Sequence, residues 1–396
     1  MRLKLRIEFL EDAQWLGGSI YIDNLLAALS SMPVEDRPDA RLVFLSSGET
    51  ALARRMLRYP VLARGEAGRW AVGLKPHARR LHRAILRRAP ALGTFWPAAR
   101  DTVYFPAFDA SQRWRNNLYW VPDFQIFHFP ELFSPEELAA RTRSISDIAA
   151  TTGVLLLSSQ AALADFRRFF PNASVEPRIW SFCSSLEAGD VVAGRQILEP
   201  YGLPERFVYV ANHFWKHKDH ETAFRALKIL RDRNVIVKMV CTGLQSDRRD
   251  PGHYSRLVQS LSDWGIADQV TILGLVPRDH QVELFRAASL VVQPSLFEGW
   301  STVIEDAKAL GRPILASDIA VHKEQLENLE RCHLFKVSDP NDMAEQIEQV
   351  LPGLAAGPCL ETERAAADRR NAARVASAYA FVEIANEAAG YAPKAG

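Results

Sequence analysis

Two carboxylates flank the start of a predicted helix in the second half of the chain. A buried strand, Leu290–Gln293, is followed by a loop that carries Glu298 and Gly299, and a helical pattern starts near Thr302. The first amides of a helix have no partner within it, so this position favours an anion such as a diphosphate. Glu298 lies before these amides and Asp306 after them, and carboxylates accept hydrogen bonds from hydroxyl groups. The segment therefore predicts a site for a ligand that has both phosphate and hydroxyl groups.

The second of these carboxylates has a neighbour that could take its place. Thr302-Val303-Ile304-Glu305 is a capping-box pattern, in which the Glu305 side chain bonds back to the amide of the N-cap residue. That structural role leaves Asp306 for the ligand, and we favour Asp306, with Glu305 as the alternative. The structural alternative for both is an ordinary acid near a helix N-terminus, stabilised by the helix dipole.

A loop rich in basic residues follows the first predicted strand of the second half. It contains His213, His217, Lys218 and His220, and Lys218 suits a phosphate group. Because His213 and His217 are four residues apart, a metal site is an alternative. That spacing brings ligands together on a helix, however, and the predicted helix starts only near Asp219. No set of acidic residues accompanies the histidines, so we expect no metal here.

Alternating strands and helices must position these loops. Short β-branched or aromatic runs alternate with longer helical patterns, which is typical of parallel α/β sheets. The predicted strands of the first half are 3–9, 41–45, 102–105, 118–121 and 154–158. Those of the second half are 207–211, 235–241, 270–273, 290–293, 313–316 and 333–337.

The same pattern predicts two domains of similar plan. Glycine and proline residues concentrate between residues 186 and 205, which indicates a crossing from one half to the other. We expect an N-terminal Rossmann-like domain over 1–190 and a C-terminal one over 200–375. A helix and tail over 376–396 would pack back on the N-terminal domain. The predicted fold class is α/β, with two doubly wound domains that face each other across a cleft.

Composition excludes several classes of protein. The chain has 396 residues, of which 48% are hydrophobic and 24% charged, and 48 Lys and Arg balance 47 Asp and Glu. A net charge of +1 is far from that of a protein that wraps nucleic acid. There is no apolar run of about 20 residues, and the first residues do not form a signal peptide. We therefore expect a cytoplasmic protein, and its four widely spaced cysteines suit a reducing compartment.

The segment from 291 to 318 resembles the donor-binding signature of family 4 glycosyltransferases, which are retaining enzymes with the GT-B fold. Pro294-Ser295 and Glu298-Gly299 fit its start, and Asp306 follows Glu298 at the family's spacing of seven intervening residues. The resemblance implies that Glu298 contacts the donor sugar and that the second carboxylate contacts the ribose.

The resemblance extends to other loops that would bind the donor. Lys218 fits the family lysine that grips the diphosphate, and His213 stands where an arginine is usual. Gly274 and Leu275 resemble a loop that holds the nucleobase, although they could form a plain turn. The remaining donor-binding residues that the resemblance implies are Gly18, Gly299, Ser301, Thr302 and Val303.

In the N-terminal half, two further segments follow predicted strands. Gly18 lies in a glycine pair before a helix predicted over 20–29, where GT-B enzymes approach their substrate. Asp123 and His128 follow the strand at 118–121 and resemble a family loop near the anomeric centre, with Glu298 and Lys218 completing the expected catalytic set. A loop histidine with a purely structural role is the alternative for His128.

The activity that the resemblance implies is transfer of a hexose, with retention, from a UDP- or GDP-sugar to a hydroxyl of a saccharide or lipid-linked acceptor. The commonest setting of such enzymes is bacterial surface polysaccharide or lipopolysaccharide synthesis. No Asp-x-Asp occurs, so we expect no metal and no cofactor. The rival hypotheses are a GT-B nucleotide-sugar 2-epimerase and a nucleotide-sugar-binding protein without catalysis.

A basic segment over 61–89 stands apart from these loops. It has eight Lys and Arg against one Glu, with apolar residues interspersed. This pattern predicts contact with an anionic membrane surface and a peripheral location on the inner face of the membrane. A solvated basic helix pair or a patch for an acceptor phosphate would fit equally well, and nucleic acid fits less well because no aromatic stacking platform is present.

Overall fold

The computed structural model describes residues 2–9, 16–44, 51–62, 102–111 and 115–390. The chain divides into two compact units. Unit 1 comprises Met1–Cys183 and Ala372–Gly396, and unit 2 comprises Ser184–Asn371. No helix in the described part of the chain has both the length and the hydropathy to span a bilayer.

Unit 1 is built on a six-stranded parallel sheet with the order β2-β1-β3-β4-β5-β6. The strands are β1 Lys4–Phe9, β2 Asp39–Phe44, β3 Thr102–Ala107, β4 Asn116–Trp120, β5 Val154–Leu157 and β6 Glu176–Ile179. Its helices are α1 Leu16–Ser31, α2 Ala51–Met56, α3 Gln125–His128, α4 Pro135–Ala149 and α5 Gln160–Phe169. The sequence analysis missed β6, because this edge strand contains Pro177 and has no buried apolar run.

Unit 2 has a second six-stranded parallel sheet, ordered β12-β11-β10-β7-β8-β9. The strands are β7 Val208–Val210, β8 Met239–Thr242, β9 Val270–Gly274, β10 Leu290–Gln293, β11 Ile314–Ser317 and β12 Cys332–Phe335. Its helices are α6 Val191–Leu198, α7 His220–Asp232, α8 His253–Asp263, α9 Arg278–Ala287, α10 Thr302–Ala309, α11 Ala320–Leu326, α12 Pro340–Val350 and α13 Leu360–Ala388, whose end lies in unit 1. The strand order reverses between β7 and β10, which makes their carboxyl ends the topological switch point of this sheet.

Both faces of the second sheet are buried. Val208 and Val210 pack into one apolar cluster, whereas Tyr209 between them packs into the other. A parallel sheet covered on both faces requires apolar residues at successive positions, which explains the uninterrupted buried runs of β7 and β10.

The predicted crossing at 186–205 is partly helical, and that part of the prediction was wrong. Helix α6 Val191–Leu198 lies within unit 2, and its N-cap Asp190 accepts hydrogen bonds from the amides of Val192 and Ala193, each 2.9 Å long. The chain divides earlier, between Cys183 and Ser184. Composition did not reveal the helix, because a glycine in a helix interior is unfavourable by intrinsic propensity. Gly194 is used here because a Cβ atom would overlap the side chain of Glu283.

The last helix, α13, begins in unit 2 and ends in unit 1. In unit 1, the Phe381 ring lies 5.2 Å from the rings of both Phe105 and Trp180. The Trp180 indole also donates a 2.8 Å hydrogen bond to the carbonyl of Ser377. The final turns of this helix are therefore part of the core of unit 1.

Candidate functional site

Most of the predicted site residues of the second half lie on the loops that leave β7, β9 and β10. The loop after β7 contains His213 and Lys218, and the loop after β10 contains Glu298. These two strands are neighbours at the switch point of the sheet, where ligands bind in open α/β folds. Strand order thus brings together segments that are 80 residues apart in the chain.

An ion pair joins the two loops. Lys218 Nζ lies 2.5 Å from Glu298 Oε1, with side chains only 15% and 11% exposed. The same carboxylate oxygen accepts hydrogen bonds from the Gln293 amide at 2.7 Å and the Ser295 hydroxyl at 2.8 Å. Glu298 Oε2 receives no hydrogen bond from a described residue. The carboxylate is held through one oxygen and can offer the other to a ligand.

Asn212 and Gln293 hold this ion pair in place, and the sequence analysis did not single them out. The Asn212 amide donates a 2.7 Å hydrogen bond to Gln293 Oε1, and both side chains are buried. Their common signal is a polar residue at or just after the last position of a buried strand. Such residues need a partner because a buried polar group without one is costly.

His213 is held as a neutral imidazole. Its Nδ1 accepts a 3.0 Å hydrogen bond from the amide of Leu244. Burial, together with the charge of Lys218, lowers the pKa of His213 to about 4. Since Nδ1 accepts, Nε2 carries the proton and can donate to an anionic or hydroxyl ligand.

The other two histidines of this loop have structural partners. His217 Nδ1 lies 3.2 Å from Nη2 of Arg249, and burial is the main cause that holds the pKa of His217 well below its ordinary value. The His220 ring stacks on Phe214 at 4.2 Å. A metal could not share the Nδ1 atoms of His213 and His217 with these N–H donors. Among the described residues, no group of three His, Cys, Asp or Glu side chains is arranged to hold a metal ion.

The capping-box interpretation of Glu305 was wrong. Ser301, not Thr302, is the N-cap of α10, and its hydroxyl accepts from the amide of Ile304. The amide of Ser301 donates to Gln325 of α11 at 2.9 Å, so that glutamine has the role predicted for Glu305. Glu305 instead accepts from Lys308 at 2.7 Å and from Gln325 at 3.1 Å.

Asp306 is buried and has two partners. One oxygen accepts a 2.7 Å hydrogen bond from Ser184, and the other pairs with Arg278 at 2.7 Å. Arg278 is the first residue of α9, which follows the loop that contains Gly274 and Leu275. Asp306 is therefore linked to the predicted nucleobase loop, whereas Glu305 is linked to α11.

The N-terminus of α10 offers free amides next to Glu298. The amides of Thr302 and Val303 have no acceptor among the described residues, as expected for the first positions of a helix. Gly299 belongs to the loop that precedes Ser301. An anion at this position would meet N–H donors and the positive end of the helix dipole.

The predicted nucleobase loop is a tight turn. Gly274 has a φ of +70°, and its carbonyl accepts a 2.9 Å hydrogen bond from the amide of Gly243. Leu275 is 60% exposed. Gly274 itself is buried, so Leu275 is the exposed member of this pair.

The three predicted site residues of unit 1 have different environments. Helix α1 begins at Leu16, so Gly18 lies in its first turn and not in a loop before residue 20. Asp123 Oδ1 accepts from the amide of Gln125 at 2.9 Å, just after β4. His128 Nε2 lies 2.7 Å from Asp165 Oδ2, and its ring packs edge-on against Phe169. Of the basic segment over 61–89, all but Val61 and Leu62 lies outside the described residues.

Part of the chain matches a family of known proteins. Residues 195–354 match the family model described as glycosyl transferases group 1. This match covers 160 of the 396 residues and lies within unit 2. The matched region contains every predicted donor-binding residue except Gly18.

Curated relatives match part of this chain. The chain is 33% identical over 187 residues to a D-inositol 3-phosphate glycosyltransferase of Mycolicibacterium vanbaalenii, a match that covers 46% of this chain and 40% of the relative. It is 32% identical over 133 residues to a protein of the same name from Mycolicibacterium gilvum, covering 33% of this chain and 28% of that relative. The chain therefore matches less than half the length of these relatives.

Solved structures match along nearly the whole chain and have the GT-B fold. HepE of Anabaena, in complex with UDP and glucose, has a TM-score of 0.63 at 16% identity and covers 97% of this chain and 98% of its own. Sucrose-phosphate synthase of Thermosynechococcus elongatus has a TM-score of 0.62 at 15% identity, with coverage of 98% and 97%. The region that matches the family model thus lies in the second unit of a two-domain α/β fold.

Proposed function

We propose that this chain is a retaining glycosyltransferase that moves a hexose from a UDP- or GDP-sugar to a hydroxyl of a saccharide or lipid-linked acceptor. The observation that carries the proposal is the Lys218–Glu298 ion pair beside the free amides of Thr302 and Val303. These groups supply a cation, N–H donors and a carboxylate at one switch point. A sugar nucleotide presents the matching diphosphate and hydroxyl groups.

In this mechanism the protein stabilises the departing diphosphate. Lys218, the two amides and the Nε2–H group of His213 supply positive charge and hydrogen bonds to the leaving group as its charge develops. Glu298 accepts from sugar hydroxyls through its unpartnered oxygen, and Asp306 accepts from the ribose. The leaving phosphate takes the proton of the acceptor hydroxyl on the same face, which retains the anomeric configuration. No protein nucleophile is needed.

We propose that the reaction needs no divalent metal and no cofactor. Lys218, His213 and the helix amides supply the positive environment that a metal ion supplies in enzymes with an Asp-x-Asp motif. A chelator is therefore expected to leave turnover unchanged. Turnover that is lost with EDTA and restored by Mg²⁺ would contradict this part of the mechanism.

We infer the class of acceptor and the cellular setting from the names of similar proteins. Relatives are named for inositol phosphate, and one structure with a TM-score of 0.54 is WaaG, described as involved in lipopolysaccharide biosynthesis. A hydroxyl acceptor in surface polysaccharide or lipopolysaccharide synthesis fits these names. We propose that the enzyme is cytoplasmic and that the basic segment over 61–89 contacts the inner face of the membrane.

A thermal-shift panel of UDP, GDP, ADP and their sugars, with and without EDTA, tests the donor site first. A ligand at 100 times its dissociation constant adds about 2.7 kcal/mol of stability, which is readily measured. Stabilisation by one nucleotide series supports the proposal and names the base. A chain that no nucleotide stabilises would contradict the assignment of Lys218, Glu298 and Asp306.

Activity assays with the Glu298→Ala variant separate the rival hypotheses. A transferase requires an acceptor and loses turnover in the variant, whereas a 2-epimerase converts the sugar nucleotide with no acceptor. A binding protein without catalysis has no turnover to lose. Glu305→Ala is the matched control, because Glu305 pairs with Lys308 and Gln325 instead of Lys218.

A further inference from the structure

An arginine that the proposed mechanism does not use pairs with the second carboxylate of the site. Arg278 is the first residue of α9 and follows the predicted nucleobase loop. Its Nη2 lies 2.7 Å from Asp306 Oδ2, while Asp306 Oδ1 accepts from Ser184 at 2.7 Å. Arg278 therefore connects the predicted nucleobase loop to α10.

The arginine is the accessible member of this ion pair. Its side chain is 26% exposed, whereas that of Asp306 is 3% exposed. Both oxygens of the carboxylate already have a donor, and a ligand that approaches the pair meets the guanidinium first. The pair therefore offers mainly N–H donors to a ligand.

Most of the Arg278 donors are unused. A guanidinium has five N–H groups in a fixed plane. One N–H of Nη2 donates to Asp306, and one of Nη1 donates to Gln281, three residues further along α9. Nε and the second N–H of each terminal nitrogen have no acceptor among the described residues. Two hydrogen bonds thus fix the plane of the guanidinium and leave three donors for a ligand.

The position of the pair on α10 indicates which part of a nucleotide it meets. Asp306 lies four residues after Thr302, so the two share one face of the helix and are about 6 Å apart along its axis. In the proposed function the diphosphate lies at the amides of Thr302 and Val303. The ribose is the next group of a nucleotide after the diphosphate, and its hydroxyl oxygens accept hydrogen bonds.

We propose that Arg278 donates a hydrogen bond to a ribose hydroxyl of the donor and so makes the site selective for ribonucleotides. This inference rests on the proposed function and adds a specificity-determining residue to it. The hydroxyl can give its own proton to Asp306, because a hydroxyl group both donates and accepts. Asp306 then acts on the ribose together with Arg278 and also holds the guanidinium in place.

Titration calorimetry on the full chain tests the proposal with Arg278→Lys. Lysine keeps a positive charge for Asp306 but lacks the planar fork of donors that can serve the carboxylate and the ribose together. The ligands are UDP, 2′-deoxy-UDP and 3′-deoxy-UDP, with the GDP series in parallel. The wild-type chain should bind one deoxy nucleotide more weakly than its parent. Arg278→Lys should weaken the parent by about 3- to 10-fold, the loss of one hydrogen bond, and leave the nucleotide that lacks the contacted hydroxyl unchanged.

Arg231→Lys is the matched control. Arg231 also pairs with a carboxylate, that of Asp268, but it lies in the last turn of α7, and Asp268 lies just before β9. This pair is therefore at the amino ends of the strands, opposite the candidate site. The variant should change the affinity of none of the ligands.

Three outcomes would overturn the inference. Wild-type chain that binds the parent and both deoxy nucleotides equally would show, without any variant, that no ribose hydroxyl is read. In Arg278→Lys, an unchanged difference between parent and deoxy nucleotides would show that Arg278 does not contact the ribose. The proposed function would stand in both cases. A wild-type chain that binds neither UDP nor GDP would contradict the proposed function itself.

Discussion

Lys218 and Glu298 form a pair of opposite charges at the centre of the candidate site. The ion pair is largely buried, so loss of either partner would leave the other as an uncompensated buried charge. In the proposed function, Lys218 exchanges part of its contact with Glu298 for the diphosphate. The ion pair holds both side chains in position without a ligand, which lowers the cost of ordering them on binding.

At the same scale, the two neighbouring carboxylates of α10 should have separate roles. Asp306→Asn removes a charged acceptor and weakens the contact with Arg278, so we expect nucleotide affinity to fall about 10- to 100-fold. Glu305→Gln changes a carboxylate that pairs with Lys308 and Gln325, so it should lower stability and leave affinity unchanged. Calorimetry with the nucleotide that stabilises the wild-type chain measures affinity, and urea unfolding measures stability. The reverse result would assign the ligand to Glu305.

At the scale of elements, the loop from Asn212 to His220 is a rigid connection rather than a flexible one. The amide of Leu296, in the loop after β10, donates a 2.8 Å hydrogen bond to the carbonyl of His217. The amide of Lys216 donates to Asp247, in the loop after β8, at 3.1 Å. The loop is therefore anchored to two neighbouring loops, and these contacts fix the position of Lys218.

Buried neutral histidines make the stability of this region depend on pH. Burial is the main cause that lowers the pKa of His213 and His322 to about 4 and that of His220 to about 3. In the unfolded chain a histidine binds its proton at a pH of about 6.5. Between these values the unfolded state holds more protons, so the free energy of unfolding should fall as the pH is lowered from about 6.5 towards 4.

His220→Gln tests this expectation. It removes one group that titrates only in the unfolded chain over this range, so the slope of stability against pH should decrease by up to about 1.4 kcal/mol per pH unit. Urea unfolding at a series of pH values measures the slope. Above pH 7.5 the histidine is neutral in both the folded and the unfolded wild-type chain, and glutamine does not titrate. The curves of stability against pH for the wild type and the variant should therefore run parallel there. An unchanged slope at pH 5 would show that His220 is protonated in the folded chain.

Gly243 allows the loops after β7 and β8 to approach closely. It has a φ of +142°, and a Cβ atom there would overlap the carbonyl of Asn212. Gly243→Ala should therefore displace the loop that carries Lys218 and reduce both stability and nucleotide affinity. Gly265→Ala is the control, with a φ of +66° but no atom near the added Cβ. It should cost about 1–2 kcal/mol of stability and leave affinity intact. Calorimetry measures the affinity of both variants and urea unfolding their stability, which separates backbone strain from overlap with Asn212. Wild-type affinity in Gly243→Ala would show that the added Cβ does not displace the loop that carries Lys218.

At the scale of the whole molecule, the chain returns to its first unit at the end. Helix α13 starts beside α9, where Glu363 pairs with the buried Arg286 at 3.0 Å, and it ends against Phe105 and Trp180. The core of unit 1 is therefore completed only by the last helix of the chain. Unit 1 should depend on this helix for its stability.

Phe381→Ala should destabilise unit 1 by about 3–5 kcal/mol, because it empties a fully buried position. Tyr379→Ala is the control, since this side chain is exposed and its hydroxyl bonds to Asp36. Hydrogen exchange followed by mass spectrometry measures both effects. Faster exchange in β3 of Phe381→Ala, with β10 unchanged, is expected. Equal exchange in the two variants would show that α13 is not part of the core of unit 1.

The sequence by itself determined the class of fold and the segments of the candidate donor site. Eleven of the twelve strands in the described part of the chain overlap predicted ones, because a buried parallel strand needs a continuous apolar run that is visible locally. Lys218, Glu298 and Thr302 stood out for a similar reason, since each follows such a run at the start of a helix. The edge strand β6 was missed because it has no apolar run to detect.

Only the tertiary structure decided which side chains meet. Lys218 pairs with Glu298 across 80 residues, and Gln325 contacts the N-terminus of α10 in place of Glu305. The same holds for Asp306 with Arg278. These contacts depend on strand order and on how neighbouring loops pack, and local patterns of polarity do not contain that information. A short sequence window can show that a residue suits a site, but its hydrogen-bond partners come from other strands of the sheet.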